Sequence, residues 1–494
     1  MKVWVAAMST VLAALLLPVD LFADQVEIFS LRTSGTVYDL GRDNGGRLHV
    51  IWKNGGSLFY GRIENRQIVG REEIPNSGDV KTRFTRPRLA VRPDGTTVHT
   101  SWTPGNGYAV VHVWRDSQGW HRRLAWEQPD AATHAAVPAI GVDLAGVVHI
   151  VAQQWYDPPN DDQGPVIYLR KPPDAGWAAP AVVQQPQGRQ WRDTSMFVDS
   201  SGGIHATWKD GGGVGGKYRH VASGGDLSQA ATIDIPRMPD TSILSFGDTW
   251  VTDEGDVHHA FCSFKNMYDS WIDYAVKRSG DAGFSGHSRI SDLLPHCEAA
   301  GYDDPWPAIV VSSSGRIFVS WAICEAADFP RVNQVYLAVR EGDAWSLRLL
   351  DGDADIDTTS KPAMTAIGDT VFVLWRGGDG QLMLAEITPD SPDAGVEDGG
   401  DGGTDDGGEG EGVAEEGETD TAADRGETRA EGDPPADPDG EPDGGQQSDA
   451  DGELASGGCG CSAGKTAAGG KVALLVSMLL LAVACRMVRR GRPG

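Results

Sequence analysis

The sequence predicts an all-β chain folded as a seven-bladed β-propeller of four-stranded antiparallel blades. Three observations carry that expectation: one strand pattern recurs seven times, its step matches the length of one blade, and the repeats lie between two segments of quite different composition. The pattern is a turn glycine, two or three residues, then His or Phe inside an apolar strand that usually closes on an aromatic. It reads GRLHVIW from Gly46, GTTVHTSW from Gly95, GVVHIVA from Gly146, GGIHATW from Gly202, GDVHHAF from Gly255, GRIFVSW from Gly315 and GDTVFVLW from Gly368. The marker position falls at His49, His99, His149, His205, His258, Phe318 and Phe372, with steps of 50, 50, 56, 53, 60 and 54 residues.

In chain order, residues 1–23 come first. A lysine at position 2, an apolar run from Val3 to Pro18 and a small residue at Ala23 have the order of a secretory signal peptide. An uncleaved anchor helix is the alternative, although the run is shorter than the roughly 20 residues a spanning helix needs. Residues 24–388 form the propeller. A shorter strand precedes each marker strand, as in PRLAV (Pro87 to Val91), PAIGV (Pro138 to Val142) and PAIVV (Pro307 to Val311). An apolar strand that often bears tyrosine follows it, as in SLFYGRI, VIYLRK, IDYAVKR and QVYLAVRE, and a fourth is often led by tryptophan, as at Trp120, Trp177 and Trp345. Near-continuous apolar strands fit sheets covered on both faces. The first repeat lacks a clear leading strand, so residues near Gln25 to Tyr38 are expected to help close the ring.

The order of a Pro-led apolar strand, an Asp-x-x-Gly turn and a Gly-x-Val-His-x-x-Trp strand resembles the sialidase-type propellers of the BNR-like superfamily across the whole repeat region. The resemblance implies the scaffold, and carbohydrate-active enzymes, some of them polysaccharide lyases, among its members. The Ser-x-Asp-x-Gly-x-Thr-Trp box of sialidases is absent, and Phe84-Thr85-Arg86-Pro87 only faintly resembles their Phe-Arg-Ile-Pro segment, which carries a substrate-binding arginine.

Residues 389–457 form an acidic segment rich in Gly, Asp and Pro. From Asp390 to Glu453 it holds 24 Asp plus Glu against two Arg, a net of −22 out of −28 for the chain. It has too few apolar side chains to offset the entropy of ordering, which predicts a disordered, self-repelling stalk. The acids keep no fixed spacing, against a calcium-binding array. Residues 458–494 carry Cys459 and Cys461 in GGCGCSAG, an apolar stretch from Val472 to Val488, then Arg489, Arg490 and Arg492. This resembles the MYXO-CTERM surface-sorting segment, which implies processing near the cysteines and display at the cell surface. A plain C-terminal membrane anchor is the simpler reading, and the basic end should face the cytoplasm either way. The protein is thus expected to be exported and anchored at the cell surface or outer membrane.

The five recurring histidines suggest a ring of metals, but a residue repeated at one blade position more simply satisfies a buried hydrogen bond, here expected to a neighbouring loop. They should also sit in the second strand, away from the channel. No metal and no cofactor is therefore expected, and nothing basic is concentrated enough to suggest a nucleic-acid partner.

Propeller topology sends the loops between second and third strands, and the links between blades, to one face, where a site is expected. Its candidate ligand-binding residues are Arg83, Arg86 and Arg88, Trp155 and Tyr156, Arg189, Trp191 and Arg192, Tyr268 and Asp269, and Tyr302, Asp303 and Trp306. The aromatics would stack on sugar rings, and the arginines would pair with carboxylates or sulfates. Of the cysteines, Cys297 and Cys324 fall in loops of that face and are the preferred disulfide in an exported domain, with Cys262 a buried thiol, although the odd count leaves a pairing with Cys262 open.

Three functions follow. The leading one is a surface module, expected to be monomeric, that binds an extracellular glycan or a surface protein. The second is a carbohydrate-active enzyme. A glycosidase would draw two carboxylates from Asp157, Asp161, Asp269, Asp303, Asp304 and Glu325, and a lyase a base from Tyr268 or His134. The third is a non-catalytic adhesin or spacer. No catalytic residue is identified.

Overall fold

Each repeat supplies one antiparallel sheet, and the sheets follow one another along the chain. The computed structural model describes residues 24–389 apart from 79, 81–86, 106, 128–132, 157–163, 186–193, 210–214, 242, 265–268, 291–296, 299–305, 326–331 and 355–360. The expected signal peptide, the acidic segment from residue 390 and the C-terminal segment with Cys459 and Cys461 lie outside the described residues.

The first strands of the seven blades are Thr36–Arg42, Arg88–Val91, Thr133–Val142, Thr194–Val198, Ile243–Val251, Ala308–Val311 and Ala363–Ile367. Each lies beside the first strand of the blade before and after it, and the last returns to the first, so these seven strands surround a common axis. The marker residues all lie on the second strands, Leu48–Asn54, Val98–Trp102, Val148–Tyr156, Ile204–Lys209, Val257–Phe264, Ile317–Glu325 and Thr370–Arg376. Blade five carries a short extra strand, Cys297–Glu298, paired with its third strand Asp269–Lys277. Among the described residues the one helical segment is a 3₁₀ turn, Leu227–Gln229.

The ring closes with strands from both ends of the repeat region. Asp24–Ser34 pairs antiparallel with Gln381–Pro389 and becomes the outer strand of blade seven, while Thr36–Arg42 is the leading strand of blade one. The segment expected to help close the ring thus serves two neighbouring blades.

The turn glycines explain why the pattern is so regular. Gly46, Gly95, Gly146, Gly202, Gly255, Gly315 and Gly368 all have φ between 59° and 86°, a left-handed conformation costly for residues with a Cβ. Behind each turn the closing aromatics Trp52, Trp102, Trp321 and Trp375 are almost wholly buried between sheets. Apolar clusters join neighbouring blades, the largest running through blades five, six and seven.

The marker histidines tie the second strand to the third. Nδ1 of His49, His149, His205 and His258 lies 2.7–2.8 Å from the hydroxyl of Tyr60, Tyr168, Tyr218 and Tyr274 respectively. Their main partner is therefore a strand tyrosine rather than the loop expected from sequence, because diagonal neighbours on paired strands bring ring and hydroxyl together. A turn aspartate completes the arrangement in three blades, with Asp43, Asp143 and Asp199 at 3.4, 3.4 and 2.8 Å from Nε2. Burial pushes His258 down to about 4 and His99 to about 3, so both are neutral struts at ordinary pH.

Candidate functional site

Strand register defines one level of the channel wall. In every blade, the residue two beyond the marker pairs with a residue of the first strand: Asp39, Arg88, Ala139, Ser195, Asp248, Ala308 and Ala363 in blades one to seven. Four of these seven equivalent positions are polar, and Lys361 stands two residues before the seventh. Asp39, Arg88, Ala139, Ser195 and Asp248 line an axial cavity with a volume of about 220 Å³.

Two of the polar residues, Arg88 and Lys361, mark which end of the channel this is. Arg88 opens its strand directly after the link from blade one, and Lys361 precedes its strand at the link from blade six. The cluster therefore lies toward the face on which the inter-blade links arrive, the face expected to carry the site.

Its members reach across the axis. Lys361 Nζ of blade seven donates to Asp248 Oδ2 of blade five at 3.1 Å, and Ser195 Oγ of blade four donates to Asp248 Oδ1 at 2.9 Å. Asp39 accepts two backbone N–H groups, from Leu40 at 3.1 Å and from Leu89 of the next blade at 3.0 Å. Arg88 is only 8% exposed, yet its Nε and Nη2 have no hydrogen-bond partner among the described residues.

The two carboxyls are driven apart. Burial pushes Asp39 above the ordinary carboxylate range, and Arg88 and Lys361 only partly oppose it. Burial acts the same way on Asp248, but Lys361 and Arg88 outweigh it and hold that carboxyl below the ordinary range. Burial and the neighbouring Arg88 also lower the Lys361 ammonium, against the pull of Asp248 and Asp39. The more readily Asp39 takes up a proton, the more the pair of cations outweighs the acids. That is the electrostatics of an anion site in a partly dry channel, with two unpartnered guanidinium nitrogens.

Of the thirteen sequence candidates, Arg88 is brought into this cluster. Trp306 is described as well, but it is 7% exposed and packs against Val137, which leaves little ring face for a sugar. Trp155, Tyr156 and Asp269 lie at strand ends of the expected face, with side chains outside the described set. Arg83, Arg86, Arg189, Trp191, Arg192, Tyr268, Tyr302 and Asp303 lie outside the described residues. The same holds for the side chains of Cys297 and Cys324, although the strands that carry them run side by side, and Cys262 is fully buried.

Asp39, Ser195, Asp248 and Lys361 were not legible as site residues from loop composition. A signal exists nonetheless: an acid in the middle of an apolar leading strand, in VYDLG and FGDTW, counted in register from the marker.

No family model matches the chain, and no curated protein matches it. Among solved structures it is similar to a protein of unknown function from Dyadobacter fermentans, with 12% identity, 63% of this chain and 95% of that one covered, and a TM-score of 0.40. A Hadza microbial sialidase shares 12% identity over 70% of this chain and 77% of its own, at a TM-score of 0.41. A polysaccharide lyase described as a PL25 ulvan lyase shares 10% identity over 72% of this chain and 95% of its own, at 0.43. By its own strand order the chain is a seven-bladed β-propeller, and a sialidase and a polysaccharide lyase stand among its structural neighbours.

Proposed function

We propose that this protein is an exported propeller, tethered to the cell surface through its C-terminal segment, that binds an acidic extracellular carbohydrate in its axial channel. The observation that carries this reading is Arg88: a buried guanidinium with two unpartnered donor nitrogens on the wall of the axial cavity, in a cluster where Arg88 and Lys361 outweigh Asp248 once Asp39 is protonated. A carboxylate or sulfate group on a sugar offers the paired oxygens such a fork takes. The signal-like start and the cysteine-bearing basic tail supply the cellular address.

The test is binding of the purified chain to a panel of uronate-containing, sulfated and neutral glycans. Acidic glycans should bind, and Arg88→Met should weaken them by about 30-fold, the worth of a hydrogen bond to a charged group at about 2 kcal/mol. Arg88→Lys keeps the charge but loses the fork, and should recover only part of the affinity. Equal binding of neutral glycans, or an Arg88→Met variant that binds as well as the parent, refutes the reading.

One observation favours a second reading, a glycoside hydrolase. Asp39 and Asp248 share one channel and their proton affinities are split, the arrangement that assigns an acid and a base. New reducing ends, abolished by Asp39→Asn, would support it; unchanged glycans after prolonged incubation would leave a binding protein.

A further inference from the structure

Blade four differs from the others at the turn joining its first two strands, and the difference gathers metal donors. Blades one, three and four share the Asp–His–Tyr arrangement, and in each a third-strand residue pairs in register with the marker histidine. That residue is Arg62 in blade one and Arg170 in blade three, but His220 in blade four. No other blade has histidine there. The rings of His205 and His220 stack with centroids 4.2 Å apart, and one donor atom from each of Asp199, His205 and His220 lies within 4.8 Å of the other two.

The turn itself is built to aim the carboxylate. Asp199 Oδ1 accepts the Ser201 N–H at 2.9 Å, the Ser201 hydroxyl at 2.7 Å and the Gly203 N–H at 2.7 Å. Its Oδ2 is left facing His205 Nε2 at 2.8 Å. Gly203 makes the room, since a Cβ there would stand 2.5 Å from Asp199 Oδ2 and 2.9 Å from His220 Nε2. In blade one the equivalent residue is Arg47, whose Nε neutralises Asp43 Oδ2 at 2.6 Å. In blade three Asp143 Oδ2 accepts the Gly224 N–H at 2.7 Å. Among the described residues, Asp199 Oδ2 has no partner of either kind.

We infer that Asp199, His205 and His220 form a binding site for one divalent transition metal of the zinc class, completed by solvent on the exposed side of His220. Two imidazoles and one carboxylate suit zinc, nickel or copper better than calcium or magnesium, which take oxygen ligands. With a metal in place of the Nε2 proton, His205 Nδ1–H would donate to the Tyr218 hydroxyl 2.7 Å away, the tautomer that leaves the Nε2 lone pair for the metal. Around tetrahedral zinc, with bonds of about 2.0–2.2 Å, donor atoms stand roughly 3.3–3.6 Å apart. Asp199 Oδ2 and His205 Nε2 therefore separate by a little over about half an ångström as the metal enters. The repeat argument that excludes a ring of metals is silent on a single blade, because only blade four has the second imidazole and the glycine.

The full-length chain, stripped with chelator, is titrated with zinc chloride by calorimetry and with cobalt chloride by visible absorption. One equivalent of zinc should bind, and cobalt should give the absorption bands of a low-coordinate nitrogen and oxygen site. His220→Ala, at an exposed position, should keep the unfolding temperature and lose the equivalent. Tyr218→Phe should weaken binding about 10- to 100-fold. A parent chain that binds no zinc, or a His220→Ala chain that binds it as the parent does, overturns the site.

Discussion

Asp248→Asn is the substitution that weighs the channel cluster most directly. It leaves the shape of the side chain and removes the negative charge that Lys361 reaches across the axis at 3.1 Å. The Lys361 side chain is 6% exposed and that of Asp248 23%, so the pair is substantially dry. Removing one partner of a buried pair costs about 3–5 kcal/mol, because the other charge is left uncompensated. The cavity admits water and Asp39 stands near Lys361, which places the expectation at the lower end, about 3 kcal/mol. A ring of about 365 residues unfolds with an entropy near 0.8 kcal/mol/K, so the midpoint should fall by about 4 °C. Thermal unfolding of the parent, Asp248→Asn, Lys361→Met and the double variant forms a closed cycle. The single variants should each lose stability, and the double variant should lose clearly less than their sum. Additive losses, or an Asp248→Asn midpoint within about 1 °C of the parent, refute the ion pair as a structural bolt. The pH dependence has a definite sign. The folded protein lowers the Asp248 pKa, so this stabilisation is present above the ordinary carboxylate pKa and is lost as pH falls through the lowered one.

Four further outcomes follow from the same geometry. Binding of an acidic glycan should tighten as pH falls through the raised pKa of Asp39, since a neutral Asp39 leaves Arg88 and Lys361 less opposed, and Asp39→Asn should abolish that dependence; a parent affinity that does not change with pH, or a dependence that survives in Asp39→Asn, is the contrary result. Gly315→Ala should cost about 1–2 kcal/mol for its left-handed backbone alone, as a Cβ there meets nothing within 4 Å, whereas Gly202→Ala should cost more because its Cβ would lie 2.9 Å from the Leu144 backbone nitrogen; equal losses in denaturant titrations would contradict this. Removing residues 24–34 strips the outer strand of blade seven, along with the ion pairs of Asp24 to Arg316 and Glu27 to Arg66, and should yield aggregated chain in size-exclusion chromatography rather than a stable monomer. Peptide mapping without reductant should recover Cys297 joined to Cys324; a peptide joining either to Cys262 would displace that assignment.

The number of blades, the order of strands within them and the axial direction were all readable in the sequence, because each depends on features that recur. A left-handed turn admits glycine at little cost, so Gly46 and its six counterparts mark the turns three or four residues before the marker. The closing aromatics mark the layer between sheets for a similar reason: a large ring is buried there in six of the seven blades, Ala152 of blade three being the exception. Ring closure was half readable. That residues near Gln25 to Tyr38 would help was evident from the missing strand of the first repeat, but their division between blades seven and one depends on a pairing some 350 residues apart in the chain.

Arg88 was found because arginine is conspicuous near a link. Asp39, Ser195, Asp248 and Lys361 were not, because single polar residues in four separate blades form no local pattern. Only closure of the ring brings Lys361 to Asp248 across 113 positions of sequence, and only the dry channel splits the two carboxyls. Local side-chain chemistry repeats with the blade and so is written along the chain. Charge compensation across an axis is a property of the closed circle, decided by distances and desolvation that no stretch of sequence contains.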